Sequence, residues 1–402
     1  PEQVQTLFRR VLPTGIQHGT VTVMLGKESF EVTTLRGETT YSDGRRPDAV
    51  YFVEDIRADL ARRDFTVNAL AYDPLSRQLV DPFGGAADLE AGVLRAVGEP
   101  AERFAEDGLR VLRAARFAAT LEMELDPPTE AAIEPSLASY SRVSAERIRE
   151  EWVKALKATK PSVAFEIMQR NGLLAVTAPE LQATVGCAQN RYHSYDVWQH
   201  TLRCMDACPQ EPLLRLAALL HDIGKPVVRA FDEAKQDYTF YGHEVRGAVM
   251  ARRLLERLRC SKEEQETVEA LVRHHLVVYD ESWTDAAVRR WLRRVGSERV
   301  EAICTLAAAD ILAKGRPVEQ ELQSVSALRT RVEEVLRQGA ALTVASLAID
   351  GHVLMKTFQR PPGKWIGDTL LALLEQVTDD PSLNDPERLL QAASQYLQSR
   401  DP

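Results

Sequence analysis

Two short runs near the N-terminus alternate apolar and polar residues, and most of the remaining chain places apolar residues at three- and four-residue steps. Val4 to Val11 reads as the end of a helix. Gly19 to Val23 and Ser29 to Leu35 read as strands separated by Gly26-Lys27-Glu28, a hairpin signature. On the second strand Glu31 shares a face with Thr33, opposite Phe30 and Val32. Gly37 to Pro47 is polar, rich in breakers and without period, so it reads as a long loop. Asp59 to Tyr72 fits a helix terminus feeding a strand; its Arg62, Arg63, Asp64 and Asn68 also suit triphosphate and ribose hydroxyls. Residues 86–180 read as helical.

Within that helical part, Ala105 to Phe117 forms one amphipathic pattern. Glu106, Arg110, Arg113 and Phe117 fall on one stripe, with Asp107 beside it. Ordinary surface ion pairs would explain the stripe. A row of directional donors and acceptors also suits a base edge and a phosphate chain, because guanidinium groups bind phosphate bidentately. Val143 to Trp152 reads as a salt-bridged helix with Ser144 at its N-cap. Leu214 to Leu220 is a buried helical run ending in His221-Asp222-Ile223-Gly224-Lys225-Pro226. A basic, aromatic helix surrounds Trp291, and a helix-rich tail from about 316 is broken at Asp350-Gly351 and Pro361-Pro362-Gly363.

Composition narrows the class. The chain is 45% hydrophobic and 27% charged, as in ordinary globular proteins, and has no apolar run long enough for a membrane span. Five cysteines without metal-type spacing fit buried thiols in a reducing cytoplasm. A net charge of −9 argues against non-specific nucleic-acid binding but leaves room for a localised basic stripe. Six of the eight histidines lie between 193 and 275, so they cluster. A His-Asp pair ending an apolar helix sets two ligands at the edge of a core, and imidazole plus carboxylate suits a divalent metal that activates water for phosphoester hydrolysis.

The ordered set of Phe30-Glu31-Val32, Tyr41 to Pro47, Arg62 to Ala69 and Glu106 to Phe117 resembles the class II tRNA nucleotidyltransferases, which include CCA-adding enzymes and bacterial poly(A) polymerases. The resemblance implies an α+β chain: a mixed α/β head (1–85), a helical neck (86–180), an HD domain (181–315) and a helical tail (316–402) that contacts tRNA. It implies that Arg63, Asp64 and Asn68 hold ribose and phosphates. Glu106, Asp107 and Arg110 would read the base of CTP or ATP, with Arg113 and Arg116 facing the triphosphate. Transfer in that family uses Mg²⁺ held by an Asp-x-Asp pair, absent from this sequence, with Glu31 as the candidate third carboxylate. The expectation is a longer native polypeptide that supplies the pair upstream of Pro1.

The histidine pattern resembles the HD phosphohydrolases, with His200, His221, Asp222 and Asp310 as the matching ligands of a divalent metal. His243, His274 and His275 are candidates for a second metal or a phosphate. The resemblance implies phosphatase and 2′,3′-cyclic phosphodiesterase activity on RNA ends. Read together, the sequence points to a cytoplasmic tRNA nucleotidyltransferase. Its loop from Gly37 favours CCA addition, or addition of the terminal A alone, over CC addition. The rivals are a poly(A) polymerase, a phosphohydrolase with an RNA-binding head, and a non-catalytic RNA-binding protein.

Overall fold

The structure is a computed structural model that describes residues 1–16, 19–38, 50–53, 55–338 and 342–400. The loop motif Tyr41 to Pro47 lies outside the described residues. The chain divides into two compact units, one of residues 1–185 with 210–212 and 253–262, the other of the remaining residues.

The first unit opens with α1 (Glu2–Leu7), β1 (Val11–Gly15), β2 (Thr20–Leu25) and β3 (Glu28–Thr33). Val11 therefore belongs to a strand and not to a helix, consistent with its β-branched side chain pairing opposite Val23. The predicted hairpin is present, β2 pairing antiparallel with β3 in the register Thr22↔Glu31 and Val23↔Phe30. Val21 and Val23 are buried from β2, whereas Glu31 is exposed on β3. Gly37 and Glu38, expected at the start of the loop, lie instead in β4 (Arg36–Glu38), which pairs antiparallel with β5 (Val50–Phe52).

Next come α2 (Ile56–Ala61), a 3-10 turn at Thr66–Asn68, the hairpin β6 (Ala71–Asp73) and β7 (Gln78–Val80), and α3 (Gly85–Ala91). β8 (Val93–Leu94) precedes α4 (Pro100–Glu106) and α5 (Leu109–Thr120), then pairs parallel with β9 (Glu124–Leu125). Next follow α6 (Pro127–Ala131), α7 (Leu137–Tyr140), α8 (Ala145–Ala155), α9 (Ser162–Arg170), α10 (Leu173–Thr177) and α11 (Pro179–Gln182). α5 packs against α8 and α9. Phe104, Leu112, Tyr140, Trp152 and Phe165 are fully buried, with Trp152 and Phe165 edge-to-face at 5.2 Å. Ser144 precedes α8 as expected, although its side chain makes no capping bond.

The second unit contains α12 (Val197–Ala207), α13 (Pro212–Leu220) from residue 213 on, α14 (Lys225–Val228), the hairpin β10 (Ala230–Asp232) and β11 (Asp237–Thr239), α15 (His243–Arg257) up to residue 252, and α16 (Lys262–His274) from residue 263 on. Pro226 sits in the first turn of α14, where its missing N–H costs nothing, so it opens a helix as well as following one. α17 (Asp285–Val295), α18 (Val300–Leu312), α19 (Glu319–Arg337), α20 (Gly351–Phe358), α21 (Lys364–Asp379) and α22 (Pro386–Gln398) complete it. Arg289, Arg290 and Arg293 of α17 are bonded to the C-terminal part of α21. Arg289 donates to the carbonyls of Thr378 (2.5 Å) and Asp379 (2.9 Å), closing the C-terminal end of α21, while Arg290 pairs with Asp379 at 2.8 Å. Among the described residues no helix is long and apolar enough to cross a membrane.

Candidate functional site

The polar stripe of the first unit is not one uninterrupted helix. α4 stops at Glu106, Asp107 is extended, and α5 starts at Leu109. An Asp-Gly pair explains the break. One carboxylate oxygen of Asp107 accepts the Leu109 N–H at 3.0 Å, satisfying a first-turn donor of α5. At Gly108 a Cβ would lie 2.4 Å from the Ser139 carbonyl, so the chain crosses that backbone only as glycine. The break leaves Glu106 and Arg110 paired, at 2.5 Å, while the Asp107 carbonyl accepts the Arg110 N–H at 3.0 Å.

Around this break the motif residues interlock. Asp64, buried after α2, takes both Nε (2.7 Å) and Nη2 (2.6 Å) of Arg113, and also the Phe65 N–H and the Asn68 amide at 3.0 and 3.1 Å. Arg110, itself buried, donates to the carbonyls of Arg62 (2.9 Å) and Arg103 (3.1 Å). Arg63 reaches Asp59 at 3.4 Å and the Asn68 carbonyl at 3.3 Å, with 44% of its side chain exposed. Asp107 holds Arg147 of α8 at 2.6 Å.

Arg116 stands apart. It is bonded to the buried Glu151 of α8 and lies over the Phe117 ring, 3.5 Å from its centroid. Burial pulls its pKa down, and Glu151 opposes that shift. Glu31 forms no group with other candidate metal ligands among the described residues and does not make a site for Mg²⁺ by itself.

Arg147 and Glu151 were not among the expected site residues. Glu151 had a readable signal, because it shares the buried stripe of Ile148, Trp152 and Ala155. Glu151→Ala is expected to destabilise the first unit by about 3–5 kcal/mol, since it strands a buried guanidinium. Urea unfolding checks this as a lowered midpoint at constant slope.

The second unit gathers the histidines. His200 comes from α12, His221 and Asp222 from the turn after α13, His243 from the first position of α15, His275 from just past α16, and Asp310 from α18. His200 Nε2 lies 2.8 Å from Asp310, and His221 Nε2 lies 3.2 Å from Asp222. The two Nε2 atoms face each other at 3.3 Å. A second set adjoins the first: His243 and His275 Nε2 are also 3.3 Å apart, with His243 3.4 Å from the other oxygen of Asp222. Asp222 thus sits between two ligand triads.

His221, His243 and His275 each turn Nδ1 to a main-chain carbonyl at 2.7 Å, those of Ala218, Phe240 and Val272. A carbonyl accepts only, so Nδ1 carries the proton and Nε2 is left as the ligand atom facing inward. Oδ1 of Asp222 is buried without a hydrogen-bond donor. Inward-facing imidazole nitrogens around a carboxylate oxygen that has no donor fit a divalent cation.

Burial pushes His193 and His275 down to about 3, so both are neutral near pH 7. Burial also works against ionisation of Asp222, but His221 and Lys225 hold its carboxyl well below the usual range. Burial lowers and Asp222 more than restores the basicity of His221, leaving it at about 9, so a cation entering here displaces a proton.

All four expected ligands converge, and His243 and His275 join them, whereas His274 is in none of the ligand groups among the described residues. Lys225 was missed: buried, with Nζ 2.6 Å from Asp222, it lies three residues past its partner, a spacing the sequence displays. Gly224 matters by close approach, since a Cβ there would come within 2.4 Å of the His243 carbonyl. That contact seats the Asp222 turn against the start of α15.

The chain matches three family models in order: a poly A polymerase head domain over residues 1–95, a probable RNA and SrmB-binding site of polymerase A over 122–184, and an HD domain over 191–315. A CCA-adding enzyme of Lactobacillus helveticus is 50% identical over 167 residues, 42% of each chain. One of Streptococcus suis is 38% identical over 241 residues, 57% of this chain and 59% of that protein. The chain thus spans about two fifths of the length of the Lactobacillus relative.

Among solved structures, a Bacillus stearothermophilus CCA-adding enzyme in complex with CTP aligns with a TM-score of 0.73 at 26% identity, covering 100% of this chain and 87% of that one. A tRNA nucleotidyltransferase complexed with a primer tRNA and an incoming ATP analog shares the fold at 19% identity, TM-score 0.56, over 83% of this chain and 87% of that one. Head, RNA-binding and HD segments thus follow one another in this order along the chain, and over these segments it is similar to CCA-adding enzymes.

Proposed function

We propose that the protein adds CCA, or the terminal A, to tRNA 3′ ends from CTP and ATP with Mg²⁺, and that its HD domain hydrolyses phosphate esters at RNA ends. The parts under this reading are the head 1–85, neck 86–180, HD domain 181–315 and tail 316–402. The five buried free thiols accord with a reducing cytoplasm.

The network of Asp64, Asn68 and Arg113 with Glu106, Asp107 and Arg110 carries the transfer reading. Asp107 supplies an acceptor and Arg110 supplies donors. Cytosine and adenine both pair an amino donor with a ring-nitrogen acceptor on the Watson–Crick edge, whereas uracil and guanine present the reverse. A carboxylate beside a guanidinium therefore accepts C and A together and leaves buried groups unpaired against U and G. Arg63 and Arg113 offer the triphosphate their charge, and Asp64 fixes the Arg113 fork. In this reading Glu31 is one of the carboxylates that hold Mg²⁺.

The native polypeptide, given tRNA lacking its 3′ CCA and each labelled nucleoside triphosphate, is expected to incorporate C and A at least about 100-fold over U and G. Comparable UTP incorporation would overturn the template assignment.

The six-ligand cluster supports the hydrolase reading, with a divalent metal held by His200, His221, Asp222 and Asp310 and a second by Asp222, His243 and His275. A bound divalent ion there polarises the phosphate and makes water a better nucleophile. In the reaction a water oxygen bonds to phosphorus, one ribose P–O bond of a 2′,3′-cyclic phosphate breaks, and a proton passes to the released ribose oxygen. A phosphohydrolase whose head only binds RNA is the second reading, and it predicts nucleotide binding without incorporation.

A further inference from the structure

A cleft of about 290 Å³ opens directly beside the ligand cluster, and His275 and Asp310 form its inner end. Its volume is at the lower end of small-ligand pockets, the size of one nucleoside and far too small for a duplex end. Its walls change character away from the cluster. Leu276, Val278 and Ile311 make it apolar, and Tyr279 adds a ring braced edge-to-face on Trp283 at 5.6 Å. Val278 is 79% exposed, on an irregular stretch between α16 and α17, so its apolar surface faces the opening instead of a core. Lys314 supplies a cation on the same wall as Ile311, held in place by Glu321, which Arg316 also engages.

We propose that this cleft is a nucleoside subsite: it takes the 3′-terminal nucleoside of a single RNA strand, its base against Leu276, Val278 and Tyr279. The terminal cyclic phosphate then lies toward Asp310 and His275, and the 5′-phosphate that joins this nucleoside to the strand lies near Lys314. This rests on the hydrolase reading of the cluster and narrows its substrates from RNA ends in general to unpaired 3′ termini. Apolar walls with few polar groups recognise a base through its faces, so the subsite tolerates all four bases. A paired terminus is rejected because its base cannot leave the stack to enter.

The test compares 2′,3′-cyclic AMP with methyl riboside 2′,3′-cyclic phosphate, which keeps the reacting phosphate and lacks the base. Binding is measured by titration calorimetry, and kcat/KM is measured for both compounds. The wild-type protein is expected to bind the nucleotide at least about tenfold more tightly than the base-free compound. The double variant Leu276→Ser/Val278→Ser, altered only at exposed positions, is expected to erase most of that difference in both readouts. Lys314→Ala is expected to weaken a dinucleotide ending in a cyclic phosphate more than the mononucleotide. Equal binding of both compounds by the wild type, with hydrolysis intact, overturns the subsite and leaves the hydrolase reading standing. Base-dependent binding without hydrolysis of either compound supports the subsite and sinks the hydrolase reading.

Discussion

Asp222→Asn is expected to lower hydrolysis of 2′,3′-cyclic phosphate by at least about 100-fold, because losing a ligand exceeds the loss seen when a ligand's supporting partner is removed. The large effect follows from position. Asp222 faces His221 through one oxygen and His243 through the other, so one substitution weakens both triads. It also strands Lys225, which is buried against the same carboxylate, and some loss of stability is expected with it. His221→Ala separates the two effects: it removes one ligand and leaves the Asp222–Lys225 pair in place. Divalent metal bound per protein, measured after dialysis, should fall in both variants, while incorporation of CTP and ATP stays at the wild-type level. Loss of incorporation together with hydrolysis would mean the cluster is a structural element of the whole protein. Chelation of the wild type is expected to reproduce the hydrolytic defect, with activity returning on adding the metal back.

The histidine cluster was more legible in the sequence than the template site, for a physical reason. Histidine and aspartate are rare inside apolar helical runs, so His200, His221, Asp222 and Asp310 stand out wherever the runs are read; His200, His221 and Asp222 are buried together, with Asp310 half-buried against His200. Arginines on helices are common, and only three-dimensional contacts separate their roles. Arg113 and Arg116 are three residues apart on α5, yet one grips Asp64 of the head motif and the other Glu151 of the neck. Periodicity also predicted a continuous helix through Asp107, because the amphipathic pattern persists on both sides of the break. What ends α4 is local: an aspartate able to cap the next helix, followed by a glycine passing against the Ser139 backbone. On α17 the reverse holds. A basic, aromatic pattern that suits RNA is used to close the end of α21 through Arg289.

That break decides the second large effect. Asp107→Ala is expected to cost about 10–100-fold in discrimination of C and A against U and G, the range for removing one hydrogen bond to a charged group, while tRNA affinity changes less than about twofold. The alanine variant removes two anchors at once, the acceptor for the Leu109 N–H and the partner of Arg147. Two companion substitutions therefore distinguish reading from positioning. Asp107→Asn keeps an acceptor but adds an amide donor that can meet the O4 of uracil or the O6 of guanine, so misincorporation of UTP is expected to rise even where CTP use persists. Arg147→Ala leaves the carboxylate chemically intact but unheld. If Asp107 touches the base, this variant keeps the preference for C and A while kcat/KM falls, because an acceptor of the right kind is present less often in the right place. If Asp107 only shapes the turn, Arg147→Ala and Asp107→Ala give the same loss of selectivity, and Asp107→Asn, which still caps α5, behaves as wild type. Single-nucleotide incorporation on tRNA lacking its 3′ end, with filter-binding of the same tRNA as the second readout, separates these outcomes. Equal loss of selectivity and tRNA affinity in Asp107→Ala would place the residue in tRNA binding and remove it from the template.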